Sequence, residues 1–305
     1  MSQSTRLLLC GSLLLTGACN LNGFAANQAA SIAGASNEYM RGFWDYDIAR
    51  HGMSAAIMQL EAMHSVSPDN ETLTLTLVST YVGYAFGFVE LDLAEAQAAL
   101  HFDEADRLRA RAELIYRRAR DLALSTMRRR DAGIDEMILA DPSTLTAYLK
   151  QRYPDANADV PCVFWTAVSW GSMLNMTDQL DQAADLPSVR AMVEHVVALN
   201  PGYESASALV FLGGVYSQTP ADFGGDPVKG KAYFERALAL TKHKAHTVQL
   251  AYAKLYALTN GDQTLFHSLL DEILAPEDQG NAVRLSNKIA RMHAERLLKS
   301  QSPSR

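Results

Sequence analysis

From about residue 39 to residue 300, apolar side chains recur three and four places apart, the spacing of one face of an α-helix. ESASALVFLGGVY (204–216), KAYFERALAL (231–240) and TLFHSLLDEILA (264–275) each follow it. Alternating runs of β-branched residues that would mark strands are lacking, so the pattern predicts an all-α chain. Two terminal segments fall outside the periodic body. CNLNGFAANQAASIAGASNE (19–38) is rich in Ala, Asn, Ser and Gly with no bulky periodic face, and predicts a flexible tether that ends in at most a short helix. Residues 301–305 predict a disordered tail.

Within the body a second pattern recurs: a small residue, a large apolar residue four places on, and Ala three further. Ala112, Tyr116 and Ala119 fit it, as do Gly230, Phe234 and Ala237. It resembles the second helix of a tetratricopeptide repeat, in which small residues let two helices approach and the aromatic fills the gap between neighbouring pairs. Residues 57–85 read as a helix, a break at Pro68 and Asp69, and a new helix carrying Leu77 and Tyr81. Residues 196–216 repeat this around Asn200, Pro201 and Gly202, with Leu212, Gly213 and Tyr216 in place. A strict period of about 34 residues is not kept, because long connections are expected from about Arg130 to Pro161 and at SQTPADFGGDPVKG (217–230). The expectation is an irregular tetratricopeptide-like helical-repeat solenoid over residues 39–300.

The N-terminus changes the picture. LLLCGSLLLTGACNLNG (7–23) is an apolar run behind Arg6, too short for the roughly 20 residues of a spanning helix and suited to a secretory leader. Leu15, Thr16, Gly17, Ala18 and Cys19 resemble a bacterial lipobox, although Thr16 stands where Leu is usual. The resemblance implies cleavage after Ala18, so that residues 1–18 are a lipoprotein signal peptide, and lipidation with acylation at Cys19. Several acyl chains hold a protein on a membrane where one is marginal. Asn20 in place of Asp points to the periplasmic face of the outer membrane. Ordinary secretion with cleavage near FAAN (24–27) is the other reading.

Composition bounds the rest. Hydrophobic residues make up 48% and charged residues 20%, a globular balance, and the net charge of −7 gives no electrostatic reason to bind nucleic acid. Of the three cysteines, only Cys162 lies in the body of the chain, so no disulfide framework is expected and Cys162 reads as a buried, inert thiol. No second long apolar stretch stands out as a membrane span.

Together with the lipobox and the repeat pairs, three stretches carry a wider resemblance: SPDNETLTLTLVSTYVGYAFGFVELD (67–92), RARAELIYRRARDLAL (109–124) and CVFWTAVSWGSMLN (162–175). In this order, followed by YFERALAL, LFHSLLDEILAPED and RLSNKIARMHAERLL, they resemble the TatT component family of TRAP-transporter-associated periplasmic lipoproteins. The resemblance covers almost the whole mature chain. It implies an all-helical lipoprotein that can assemble as a homotrimer, partners a TRAP-type solute-binding protein, and has room for an apolar ligand channel. The solute is left open.

Candidate binding residues are aromatic. Phe164 and Trp165 are adjacent and Trp170 lies five residues beyond Trp165, about 140° around a helix, so the two indoles cannot share one narrow face. Tyr81, Tyr84, Phe86 and Phe88 crowd about two turns, and Gly83 and Gly87, four apart, would form a flat groove for a close helix neighbour. Core packing and a ligand- or partner-binding surface use the same residue types, and both readings stand for Tyr81, Tyr84, Phe88, Phe164, Trp165 and Trp170. Arginines from Arg117 to Arg130 complement the end of a helix dipole or form a docking face for an acidic protein. Glu90, Asp92, Glu95, Asp103, Glu104 and Asp106 just upstream offer internal partners.

Enzymatic constellations are scarce. His243 and His246 lack a sequence-near third ligand for zinc, RMHAE (291–295) is not a two-histidine metalloprotease helix, and ADFGGDP reads as a turn with Pro227 starting the next helix. No metal, cofactor or catalytic residue is expected, and the protein reads as a non-enzyme. The expected function is a membrane-anchored scaffold working with a TRAP-type solute-binding protein in uptake of an organic, potentially hydrophobic, solute. The alternative is an envelope structural or assembly lipoprotein that binds no small molecule.

Overall fold

The computed structural model of the protein describes residues 39–177, 184–276 and 282–301, together with Gln28, Ile32, Gly34 and Ala35. Those four early residues are helical, inside the stretch expected to be a tether. The readings for residues 1–18 and Cys19 lie outside the described residues. Thirteen α-helices and no strand occur among the described residues, which makes the fold all-α. The first seven are α1 (Tyr46–Val66), α2 (Glu71–Tyr84), α3 (Glu90–Ala98), α4 (Phe102–Arg130), α5 (Ile134–Leu139), α6 (Pro142–Arg152) and α7 (Val160–Met176). Then come α8 (Leu186–Leu199), α9 (Tyr203–Gln218), α10 (Pro227–Thr241), α11 (His246–Tyr252), α12 (Gln263–Leu274) and α13 (Arg284–Gln301). Gln301, expected in a tail, thus closes α13.

Local chemistry explains where these helices begin. The side chains of Asp45, Asn70, Asp141, Asp226 and Asp262 each accept a backbone N–H of the following first turn; such caps contribute about 1 kcal/mol apiece. Proline opens α6, α7, α8 and α10, where its missing N–H costs nothing. The Thr–Leu alternation of TLTLTL (72–77) nonetheless forms α2: Leu73 and Leu77 share a buried face, while Thr74, Thr76 and Thr80 turn their hydroxyls back onto the carbonyls four residues before.

Consecutive helices pack as hairpins, α1 on α2, α7 on α8, α9 on α10 and α11 on α12, and the next layer joins α2 to α4 and α4 to α7. The repeat-signature residues stand where the pairs meet: Ala112, Tyr116, Ala119, Phe234 and Ala237 are all buried. A Cβ on Gly230 would lie 2.9 Å from the carbonyl oxygen of Gly213, so α10 can touch α9 only through a residue that has none.

Buried apolar side chains form two clusters. One runs from α1 to α9, and the other joins α9 to α13 around Phe234, Tyr252 and Phe266. Helix α9 serves both, with Leu212 and Tyr216 on one side and Ala206 and Leu209 on the other. So does α13, with Leu285 and Ile289 in the first cluster and Ala290 and Ala294 in the second.

Three expectations are corrected. First, the stretch from Arg130 to Pro161 is no plain connection but carries α5 and α6: Asp141 and Pro142 start α6, and Leu145 and Leu149, four apart, are completely buried. Second, Gly83 and Gly87 do not build one groove. A π-helical turn, Ala85–Val89, rotates the chain between them, so that Gly83 faces Met53 of α1 and Gly87 faces Ile289 of α13. Third, α2, this π turn and α3 make one helical run, Glu71–Ala98, whose most apolar window has a mean hydropathy of 1.4. By length and composition it could cross a membrane, but 67% of that window is buried inside the protein, as befits a core helix.

Most arginines of α4 find partners within the chain, though mostly not the acids just upstream. Arg118 forks onto Glu61 of α1 at 2.8 and 2.7 Å, and Arg128 pairs with Asp135. Arg130 donates to Glu71 at the start of α2, and at 2.8 Å to both Asp159 and the carbonyl of Ala158 at the start of α7. Asp92 instead holds Arg50, and Glu95 holds Arg296. A free basic docking face is therefore not what this helix offers.

Because Arg130 is only 26% exposed and Asp159 14%, Arg130→Ala should cost about 2–3 kcal/mol, somewhat less than breaking a fully buried pair. Arg130→Lys should recover only part of it, since an ammonium cannot fork. Urea unfolding of the two variants reads both effects; equal stability of wild type and Arg130→Ala would refute the assignment.

Candidate functional site

The six aromatic candidates divide into groups on α2 with its π turn and on α7. Tyr84 and Phe88 are core residues: Phe88 lies 5.1 Å from Tyr46 and 5.6 Å from Tyr84, whose ring has the Arg111 guanidinium 5.8 Å away. Tyr81 is half-buried, and its hydroxyl donates to Glu61 at 2.8 Å. The Arg118 fork holds the Glu61 carboxyl below the usual carboxylate range, while burial and then Glu61 push the Tyr81 phenol up to about 12. Tyr81 therefore remains a neutral donor at any ordinary pH.

On α7 the two indoles diverge as their spacing requires. Phe164 is buried edge-on to Trp165 at 4.9 Å and to Tyr203 at 5.0 Å. Trp165 stays half-buried at the rim of this group. Trp170 is buried on another side, where its N–H donates to Asp185 at 3.2 Å and Arg120 lies 5.9 Å from its ring. The structure thus gathers Phe164 and Trp165, and separately Tyr84 and Phe88, but does not bring all six residues to one pocket. Four serve packing, and Tyr81 and Trp165 keep partial exposure.

Two features beside these residues escape sequence reasoning. Next to Tyr203, residues Glu204, Ser205 and Ala206 have φ of 50°, 55° and 61°, a left-handed turn that costs non-glycine residues about 1–2 kcal/mol each. Arg41 pins it by pairing with Glu204 at 2.6 Å. Such strain survives only where its surroundings hold it, and no residue type in NPGYESA announces it.

The second is a polar junction where the π-helical turn Ala85–Val89 packs on α13 through Phe86 and Gly87, with Lys254 of a second π turn, Ala253–Ala257, adding its charge; π turns recur at functional sites. Glu90, just past the first, accepts the Tyr116 hydroxyl, and burial raises its pKa. Lys254 in the second turn acts electrostatically on both Glu90 and His293. Phe86 stacks on His293 at 6.2 Å, and the His293 Nε2 is buried without a hydrogen-bond partner. Of the two glycines singled out in sequence, only Gly87 packs here, against Ile289, and neither signalled the polar groups.

Cys162 is buried and free, and burial pushes its thiol up to about 12. His243 Nδ1 meets Glu272 at 2.8 Å; among the described residues no group of three or more His, Cys, Asp or Glu is placed to hold a metal. Two open depressions flank the first half of α4: one of about 660 Å³ lined by Leu100 to Glu104, and one of about 300 Å³ lined by Asp106, Arg109, Ala110, Glu113 and Met176.

The profile of the TRAP transporter T-component family matches residues 44–303, nearly the entire helical body just described. The chain belongs to this family. A T-component is an accessory part of a TRAP transport system, so the protein has a role associated with TRAP transport. The T-component is also similar to a protein of Treponema pallidum (strain Nichols) that carries the name uncharacterized protein. The two are 24% identical over 233 residues, covering 76% of this chain and 71% of the relative.

Burial first, and the Lys254 charge second, lower the His293 pKa to about 4, against about 6.5 in an unfolded chain. Below about pH 6.5 the unfolded T-component takes up this proton first, so stability falls with pH down to about 4 and no further through this group. His293→Leu should flatten the thermal midpoint over that window. His195 and His64, also lowered by burial, leave a residual slope. Circular dichroism melts at pH 7, 5.5 and 4 decide, and an unchanged slope in the variant would refute the role given to His293.

Proposed function

We propose that this T-component is a lipid-anchored periplasmic scaffold that binds a TRAP-type solute-binding protein and assists uptake of an organic, potentially hydrophobic, solute. The observation that carries the reading is the family match across residues 44–303, because it ties the whole helical body to TRAP transport. The lipobox resemblance ending at Cys19 supports the anchor, and Asn20 supports the outer membrane. The hairpins α1–α2 and α9–α10, with signature residues buried between α9 and α10, support a degenerate tetratricopeptide-like array, whose faces suit protein docking. The work would be recognition without covalent chemistry. A homotrimer would repeat the docking face and align any openings for solute.

Tyr81 and Trp165 are the candidate aromatics that a partner can reach without unpacking the core, since each is half-buried. A native mass spectrum of the mature chain carrying Cys19→Ser, alone and with the candidate solute-binding protein, tests the scheme. The expected species is a trimer that gains solute-binding-protein subunits; a monomer that ignores the partner would favour an envelope scaffold without a transport partner. Trp165→Ala should weaken that association by about 30-fold, the loss of one interface anchor worth about 2 kcal/mol, with the complex still formed by Trp165→Phe. Equal affinity of Trp165→Ala and wild type would remove Trp165 from the interface.

A further inference from the structure

Residues 39–48, where the chain enters the helical body, form a two-sided segment. Its inner side is locked in place. Met40 and Phe43 pack on the first apolar cluster, Arg41 is tied to Glu204, and the N–H groups of Gly42 and Phe43 donate to the carbonyls of Tyr39 and Met40 at 3.1 Å each. Its outer side shows Tyr39, Trp44 and Ile48, exposed by 70%, 57% and 55%. The rings are continuous: Tyr39 stands edge-on to Phe43 at 6.0 Å, and Phe43 lies 6.2 Å from Trp44. Ile48 extends the patch into the first turn of α1, whose start Asp45 caps.

We propose that this patch rests on the lipid surface to which the chain is tethered, as a second membrane contact beside the acyl chains. The proposal relies on lipidation at Cys19. Three observations select lipid as the occupant. Residues 20–38 are all that separates the anchor from Tyr39, so the patch lies within about 70 Å of the bilayer even on a fully extended chain, and tethering at such range makes a weak contact effective. Trp and Tyr are the residues that settle at the water–lipid boundary, with apolar bodies and polar tips. The one arginine in the segment, Arg41, is committed to Glu204 while Asp45 caps α1. No free basic cluster draws the patch to anionic headgroups, so the surface it fits is zwitterionic and the contact insensitive to salt.

The test uses the mature acylated protein in vesicles of dioleoyl phosphatidylcholine and of the same lipid brominated near the headgroup end of its chains. Trp44 is one of three tryptophans in the protein, and Trp170 is buried, so brominated lipid should remove roughly a third of the emission, at low and high salt alike. Trp44→Phe should abolish that loss while keeping the contact, and a Tyr39→Ser, Ile48→Ser double variant should reduce it. Vesicle-bound protein with equal emission in both lipids overturns the proposal. So does shielding of Trp44 from iodide that appears only at high protein concentration and without vesicles, which would give the patch to a second copy. An intact mass that lacks the acyl chains refutes the anchor alone. The same chain, held on nickel-chelating vesicles by a hexahistidine tag placed before Asn20, then still reads the patch.

Discussion

The guanidinium of Arg130 fixes the geometry on which the rest of the body depends. It closes α4, the longest helix, where three arginines complement the negative end of the dipole. From there it reaches Glu71 at the first residue of α2 and Asp159 just before α7. Three helix ends are thereby brought to one point, and these are the helices that carry Tyr81, Phe164, Trp165 and Trp170. A planar fork with five donors makes four hydrogen bonds to two carboxylates and a carbonyl at once, one more than the three donors of a lysine allow. The Cys162 thiol sits close enough to feel the same charge, and burial outweighs it, leaving the thiol protonated and inert.

A second constraint is close approach between α9 and its neighbours. Helix α9 is apolar nearly all round because it separates two cores, and an all-apolar helix must be buried on every side. Its glycines set the distance to α10: a Cβ on Gly213 would lie 2.8 Å from the Phe234 ring. Phe234 in turn stacks on Tyr252 at 4.9 Å and passes the contact to the next hairpin. Helix α13 returns along both cores, so the C-terminal segment holds the first and last hairpins to one another. Surfaces far apart in sequence are thus joined through α13.

Much of this was legible residue by residue. The small–large–Ala pattern at Ala112, Tyr116 and Ala119 marked a buried helix face, and the five-residue spacing of Trp165 and Trp170 foretold that the indoles would part. Pro227 marked the start of a helix. The aromatic candidates were harder, because Phe88 and Trp165 look alike in sequence although one is buried in the core and the other stands at its rim. The α5–α6 region was misread because its turns of helix are short, and one pair of leucines at four-residue spacing is a weak signal.

The sequence by itself determined the all-α class, helix starts such as Pro227 and the family, since periodicity and proline placement are settled among residues within one or two turns. The tertiary structure alone decided which arginine meets which carboxylate: Arg118 chose Glu61 and Arg130 chose Glu71, each more than fifty residues away. It alone decided that the π turn Ala85–Val89 would pack against His293 and that Glu204 to Ala206 would hold a left-handed turn. Such choices depend on which surfaces the packing brings within a few ångströms, and the energy that selects them is spread over contacts that no local stretch of chain contains.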